Sequence, residues 1–352
     1  MTPTTMRAVR LHRPRTPDAP EDLRGDEVPV PEPGPKQVLV EIKACGICAS
    51  DLHVVQGVTP HGPSLPQVIG HEPAGIVAAV GEGVADWQLG DRVAFQMARA
   101  CGRCEYCTVG RESICPQLVV PGIDADGAQA QYALAESHFL VPIPGSIPFE
   151  QAAILTDAVA TPYHALKRGG VGEGVTCAIF GLGGLGMHAL LLAKLVGAYV
   201  IGVDVDPVNL ERATEWGADA VVDASDGKPA KAIRGLLGSG VDRSFEFVGS
   251  PDAISQATKC LKAGGRATIV GLTPAMMTLL PSALFVAQEL EIVGSFGSTS
   301  QDLNELVDLV DSGRLDLSRS ITHRFSIDEV PAAIDILESR SEHPVRMVAV
   351  YD

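Results

Sequence analysis

The chain has 352 residues, 46% of them hydrophobic and 20% charged, which suits a globular protein too long to be served by one core. Its formal net charge of −16 argues against binding nucleic acid or an anionic membrane through the bulk field. The N-terminal stretch "MTPTTMRAVRLHRPRTP" has basic residues but no apolar h-region, and no window reaches ~18 uncharged apolar residues, so neither a secretory signal nor a membrane span is expected. A cytoplasmic location follows as the default. Thiols stay reduced there, so clustered cysteines read as metal ligands rather than disulfides.

Residues 1 to about 155 are rich in Gly and Pro, with short apolar runs such as "QVLVEIKA" and "GIVAAVG". That texture predicts irregular β structure with many turns. From about 160 onward, β-like and helix-like runs alternate: "VTCAIF", "LGMHALLLAKLV", "AYVIGVD", "NLERATEWG", "ADAVVD", then "SFEFVG", "AISQATKCL", "RATIVG" and "LEIVGS". About six strands with intervening helices predict an α/β fold with a doubly wound parallel sheet. The tail from about 298 offers two amphipathic helices, "QDLNELVDLVDSG" and "DEVPAAIDILESR", and a closing strand, "VRMVAVYD".

Six of the eight cysteines lie between 45 and 115. Cys101, Cys104, Cys107 and Cys115 are spaced so that four thiolates can surround one tetrahedral Zn²⁺. Such a site is closed and should stabilise a lobe, not catalyse. A zinc ribbon touching nucleic acid is the competing reading; the acidic balance opposes it. A second set is looser. "ACGICASDLH" at 44–53 and "GHEPAG" at 70–75 offer a thiolate, an imidazole and a carboxylate in Cys48, His71 and Glu72. Catalytic zinc takes three protein ligands and keeps a fourth position open. Cys48 and His71 make two, and this half of the chain lacks an evident third.

"FGLGGLG" at 180–186 follows a strand, opens an apolar helix, and is followed by Asp204 at the end of the next strand. In that context Gly181, Gly183 and Gly186 predict a turn that brings backbone close to a pyrophosphate at a helix N-terminus. Gly184 and Leu185 belong to the same loop, and Val270 and Leu272 are further expected cofactor contacts. Asp204 would accept bonds from ribose hydroxyls and repel a 2′-phosphate. "DVDPVN" offers no Arg or Lys to hold one, so NAD is expected over NADP.

The order and spacing of "CGICASDLH", "GHEPAG", the four-cysteine lobe, "GLGGLG" and "GVD" resemble the zinc-dependent alcohol dehydrogenase family of the medium-chain dehydrogenase/reductase superfamily. The resemblance spans nearly the whole chain. It implies a GroES-like catalytic domain from residues 1–159 and 298–352, a Rossmann domain from 160–297, and an active site in the cleft between them. It implies two zinc ions per chain and makes Cys48, not Cys45, the catalytic ligand, with His71 the second. It puts Glu72 beside the metal as an exchangeable ligand, and gives Ser50 and His53 the start and end of a proton relay. It further implies a homodimer or homotetramer acting on a small alcohol or carbonyl substrate.

The same resemblance bears on "LTDAVATPYHAL" at 155–166, where an acid interrupts an apolar run. Many relatives have Cys at the position of Asp157, and polyol-dehydrogenase-like relatives have Glu. Asp157 is therefore expected to be the third catalytic ligand. The alternative is a capping aspartate, with zinc held by Cys48, His71 and Glu72. Thr161 would face the nicotinamide. A carboxylate in place of a thiolate gives a harder ligand set and a stronger Lewis acid. "TDAVATPYHA" also resembles dehydrogenases acting on cyclic, sometimes CoA-linked, alcohols and enones, so hydride delivery to a zinc-bound enone stays open. So does a protein that binds nucleotide without catalysis. Leu52, Trp87, Leu118, Val119, Leu272 and part of 275–286 are expected to line the substrate pocket, an apolar mix that disfavours a polyol. Cys177 and Cys260 read as core residues, Cys45 as a buried neighbour of the site. His12, His61, His138, His164, His188, His323 and His343 read as structural or surface residues.

Overall fold

The computed structural model describes residues 2–59 and 64–351; His61 lies outside them. The chain forms two compact units, Met1–Ala160 with Gly297–Asp352, and Thr161–Phe296.

In the first unit, six strands of the main sheet run in the order Ile321–Phe325, Arg346–Val350, Gln37–Ile47, Glu72–Val80, Arg92–Phe95, Leu140–Pro142, and a seventh, Tyr132–Glu136, also pairs with Gln37–Ile47. A smaller sheet joins Asp22–Pro29, Thr5–Arg13 and Gln67–Val68. Strand Gln37–Ile47 is the spine. Its register shifts at Leu39/Val40 and Ile42/Ala44, the kind of irregularity that bends a strand and lets it serve several partners. Val38, Val40 and Ile42 point alternately inward to a core with Val9, Leu11, Val77, Val93 and Phe95. The strand runs straight into Cys48, which caps helix Ala49–Val55. Helix Phe149–Ile154 packs on strands Gln37–Ile47 and Glu72–Val80 and continues into a π-helical turn, Leu155–Val159. Helix periodicity does not reveal that turn in advance.

In the second unit six strands are all parallel, in the order Ala220–Asp223, Tyr199–Asp204, Thr176–Phe180, Val241–Glu246, Leu261–Ile269, Glu291–Gly294. The strand order reverses between Thr176–Phe180 and Val241–Glu246, the point where open doubly wound sheets bind ligands beyond their strand ends. Central strands are buried on both faces, as Cys177, Ala178 and Ile179 show, which is why they read as continuous apolar runs. Helix Pro229–Leu237 is one the sequence reading passed over; Pro opens it and Gly238 in the left-handed region closes it. Both tail helices form, as Ser300–Asp311 and Val330–Ser339. Among the described residues no helix is long and apolar enough to cross a membrane.

Helix Gly184–Leu195 starts directly at the glycine loop. A Cβ on Gly186 would run into the carbonyl oxygen of Gly181, so loop and helix can meet only without a side chain there. Gly186→Ala should therefore cost about 1–3 kcal/mol, as overpacking does. Calorimetric unfolding checks this, and an unchanged midpoint would contradict it.

Candidate metal centres and dinucleotide site

Cys48, His71, Glu72 and Asp157 come together, each offering a donor atom within 4.8 Å of the others. The chain delivers them from three places: the end of strand Gln37–Ile47, the start of strand Glu72–Val80, and the π turn Leu155–Val159. A π turn inserts one residue into a helix and re-aims the side chains around it. Here all five of its residues, Asp157 included, face inward. Cys48 Sγ lies 3.6 Å from Asp157 Oδ2, and His71 Nε2 lies 3.5 Å from the same oxygen. With ordinary Zn–S, Zn–N and Zn–O distances of ~2.3, ~2.0 and ~2.0 Å, the edges of a tetrahedron are ~3.3–3.5 Å. The donors are thus already at ligand spacing. His71 Nε2 and Glu72 Oε1 are buried and make no hydrogen bond, which suits atoms aimed at a cation.

Two residues that sequence reasoning missed hold this set in place. Asp51 is fully buried. Its Oδ2 accepts from the Cys48 amide at 2.9 Å, closing a capping box, and its Oδ1 meets His71 Nδ1 at 3.2 Å. A carboxylate can only accept, so Nδ1 carries a proton, and when the imidazole gives up its second proton the lone pair falls on Nε2, toward Cys48 and Asp157. Arg346, on the strand paired with Gln37–Ile47, ion-pairs with Glu72 Oε2 inside the protein. The Asp in "CASDLH" was visible as a third-position cap. Nothing near Arg346 in the sequence points to position 72.

The electrostatics match the geometry. Burial pushes the Glu72 carboxyl up to about 7, Asp157 adding to the rise and Arg346 opposing it. Burial raises the Cys48 thiol, with His71 pulling the other way. Burial opposes a charge on His71, but Asp51, Cys48 and Asp157 outweigh it and hold the imidazole well above its usual value. Acidic groups in excess, in a dry place, call for a cation. Ser50 and His53 lie half-buried on helix Ala49–Val55, and the Ser50 amide donates to Cys48 Sγ at 3.4 Å.

Cys101, Cys104, Cys107 and Cys115 form the second cluster. Their sulfur separations are 3.5 Å for Cys104–Cys107, 3.9 Å for Cys104–Cys115 and 4.0 Å for Cys101–Cys107. Edges of ~3.8 Å are what a tetrahedron with ~2.3 Å Zn–S bonds requires. Amides of Cys101 and Gln117 donate to Cys115 Sγ, and backbone amides of Arg103 and Cys104 draw the Cys101 thiol down to about 6.

In the second unit, Gly181 and Gly183–Gly186 form the turn between strand Thr176–Phe180 and its helix. Asp204 ends the neighbouring strand. It accepts from Leu182 N at 2.6 Å, Val205 N at 2.8 Å and Asp206 N at 2.9 Å, which ties the glycine loop to the adjacent strand end. Val270 and Leu272 follow strand Leu261–Ile269, and Thr161 is buried at the start of its unit.

Several residues expected to line the substrate pocket pack against apolar clusters of the first unit. Leu52 and Trp87 pack against the main core of the first unit, and Trp87 donates to Ser137 O. Leu118 packs beside the cysteine lobe, and Val119 bridges to Arg99. Cys45 is buried, His12 pairs with Asp26, and His188 is buried in the helix after the glycine loop.

Residues 34–145 match the alcohol dehydrogenase GroES-like domain, and residues 184–312 match the zinc-binding dehydrogenase model. The chain is 38% identical over 296 residues to an alcohol dehydrogenase of Geobacillus stearothermophilus, covering 83% of this chain and 87% of that one. It is 32% identical to the sorbitol dehydrogenase of Bacillus subtilis over 95% of this chain and 94% of that one. A solved zinc-binding dehydrogenase from Sinorhizobium meliloti 1021, bound to NADP, superposes with a TM-score of 0.90 at 32% identity over 99% of this chain and 100% of that one. The chain belongs to the zinc-type alcohol dehydrogenase family of the medium-chain dehydrogenase/reductases, as its motif order led us to expect.

Arg346→Met leaves the Glu72 carboxylate buried without its partner. Urea unfolding should show a loss of about 3–5 kcal/mol. The double change Glu72→Leu with Arg346→Met should recover most of it, and additive losses would contradict the pairing.

Proposed function

We propose that this protein is a zinc-dependent dehydrogenase linked to NAD, moving hydride between an apolar or cyclic alcohol and the matching ketone or aldehyde. The observation that carries it is the buried set of Cys48, His71, Glu72 and Asp157 at ligand spacing. Cys48, His71 and Asp157 would hold the catalytic zinc with Glu72 beside it, and the four-cysteine lobe the structural one. When bound, zinc would supply the Lewis acidity that lowers the pKa of an alcohol hydroxyl, as it lowers that of water to about 7, and NAD would serve as the hydride acceptor. Asp51 keeps His71 in the ligating tautomer. Ser50 would take the hydroxyl proton as its own passes by way of the nicotinamide ribose to His53 and solvent; three residues apart on one helix, Ser50 and His53 share a face. Gly181, Gly183, Gly184, Leu185 and Gly186 approach the pyrophosphate. Asp204 takes the ribose hydroxyls, while Thr161, Val270 and Leu272 border the rest of the cofactor. Residues 205–209 carry no Arg or Lys, which supports NAD where the Sinorhizobium relative holds NADP. We further propose a cytoplasmic homodimer or homotetramer; reduced thiols are what both cysteine sets require.

Metal analysis should return two zinc ions per chain, and Cys104→Ser one, with a lower melting temperature and the second site kept. An unchanged zinc content in Cys104→Ser would remove the lobe from the account. Initial rates over short aliphatic, benzylic, cyclic secondary and polyol alcohols, with NAD and with NADP, test the reaction. A clear NAD-linked preference for one apolar class is expected; NADH oxidation only with enones would move the reading to conjugate reduction. Ser50→Ala should lower kcat on the order of a hundredfold or more, the scale of general acid–base catalysis, and leave NADH binding unchanged. Equal turnover would sink the relay.

A further inference from the structure

Glu246 ends strand Val241–Glu246, beside the point where the strand order reverses. It is fully buried. Its Oε1 accepts from Val248 N at 2.9 Å and Gly249 N at 2.8 Å, while its Oε2 is buried with no hydrogen-bond partner. Nothing assigned above to metal or proton transfer uses it. A half-satisfied buried carboxyl is costly, so its placement calls for a reason.

The reason lies in what the turn after it touches. The Val248 side chain rests on Gly181 of the glycine loop: its Cγ2 would sit 2.7 Å from a Cβ placed there. Phe247 N donates to Phe180 O at 2.9 Å. On the other side, Val270 N and Gly271 N donate to Glu246 O at 2.9 and 3.0 Å, and Gly271 lies so close to Gly249 N that no side chain fits between them. One carboxyl thus clamps a turn wedged between the glycine loop and the 270–272 segment. The clamped segments present two apolar side chains to solvent, Val248 at 53% exposure and Leu272 at 66%. Exposed apolar side chains on braced turns beyond the strand ends fit a flat aromatic ring of a ligand.

We propose that Glu246 is a positioning residue for the dinucleotide, holding the 247–249 turn so that Val248 and the glycine loop are preformed for it. This rests on the dinucleotide reading above. The test measures NADH affinity by fluorescence titration together with melting temperature, for the wild type, Glu246→Ala, Glu246→Gln and Val248→Ala. The loss of the two turn bonds in Glu246→Ala should weaken NADH binding on the order of tenfold. Glu246→Gln, whose amide oxygen still accepts from both amides, should restore it. Val248→Ala should weaken binding several-fold with little change in melting, and it decides the matter should Glu246→Ala fail to fold. A carboxyl that merely stabilises the sheet would shift melting and leave the affinity of the folded protein unchanged; wild-type affinity in Glu246→Ala or in Val248→Ala overturns the proposal. A wild type that does not bind NADH brings down the dinucleotide reading itself, which is a different result.

Discussion

The first unit is organised around a buried excess of acidic groups. Cys48, Asp51, Glu72 and Asp157 converge in a space with almost no water access, and the fixed cation among them is Arg346. Unpaired charge in such a place costs several kcal/mol per group. The geometry of the main sheet can be read as the answer. Strand Gln37–Ile47 brings Cys48 in, the next strand brings Glu72, the strand on its other flank brings Arg346, and the π turn brings Asp157. Asp51 then uses each oxygen once, on a helix end and on an imidazole. Little freedom remains in where a metal ion could sit.

The second unit solves a different problem. Among the described residues it holds no buried group of potential metal ligands. It arranges backbone: glycines where chain segments meet, a helix N-terminus at the loop, and carboxylates that hold turns by accepting amides. Asp204 and Glu246 share this habit, each tying a strand end to a neighbouring loop. The donor set of the first unit gathers charge, and the glycine loop of the second gathers closely packed backbone.

How much of this was legible follows from the range of the signals. The cysteine lobe lies within fifteen positions, so spacing alone sufficed. The glycine loop and Asp204 are read from one strand–turn–helix–strand segment. The six-stranded sheet was visible because buried parallel strands are apolar throughout. By contrast, the partner of Glu72 is 274 positions away, and a lone Arg beside a strand is chemically mute until topology pairs it. The π turn was hidden because a single extra residue leaves helix periodicity nearly intact. Pocket lining is harder to read: Trp87 and Leu118 pack against apolar clusters, and burial in a core and exposure in a pocket use the same apolar residue types.

The second unit is inserted into the first between residues 160 and 297. Strand Arg346–Val350, which pairs with Gln37–Ile47 and supplies the counter-ion of Glu72, therefore leaves the ribosome only after all of 161–296. Domains fold largely as units during synthesis. The six-stranded parallel sheet can be complete while the main sheet of the first unit still lacks two of its strands. Through that interval the carboxyl of Glu72 lacks Arg346, so the buried donor set of Cys48, His71, Glu72 and Asp157 is completed only once the last strand is made. The four cysteines of the lobe, contained within 101–115, are all present long before that point.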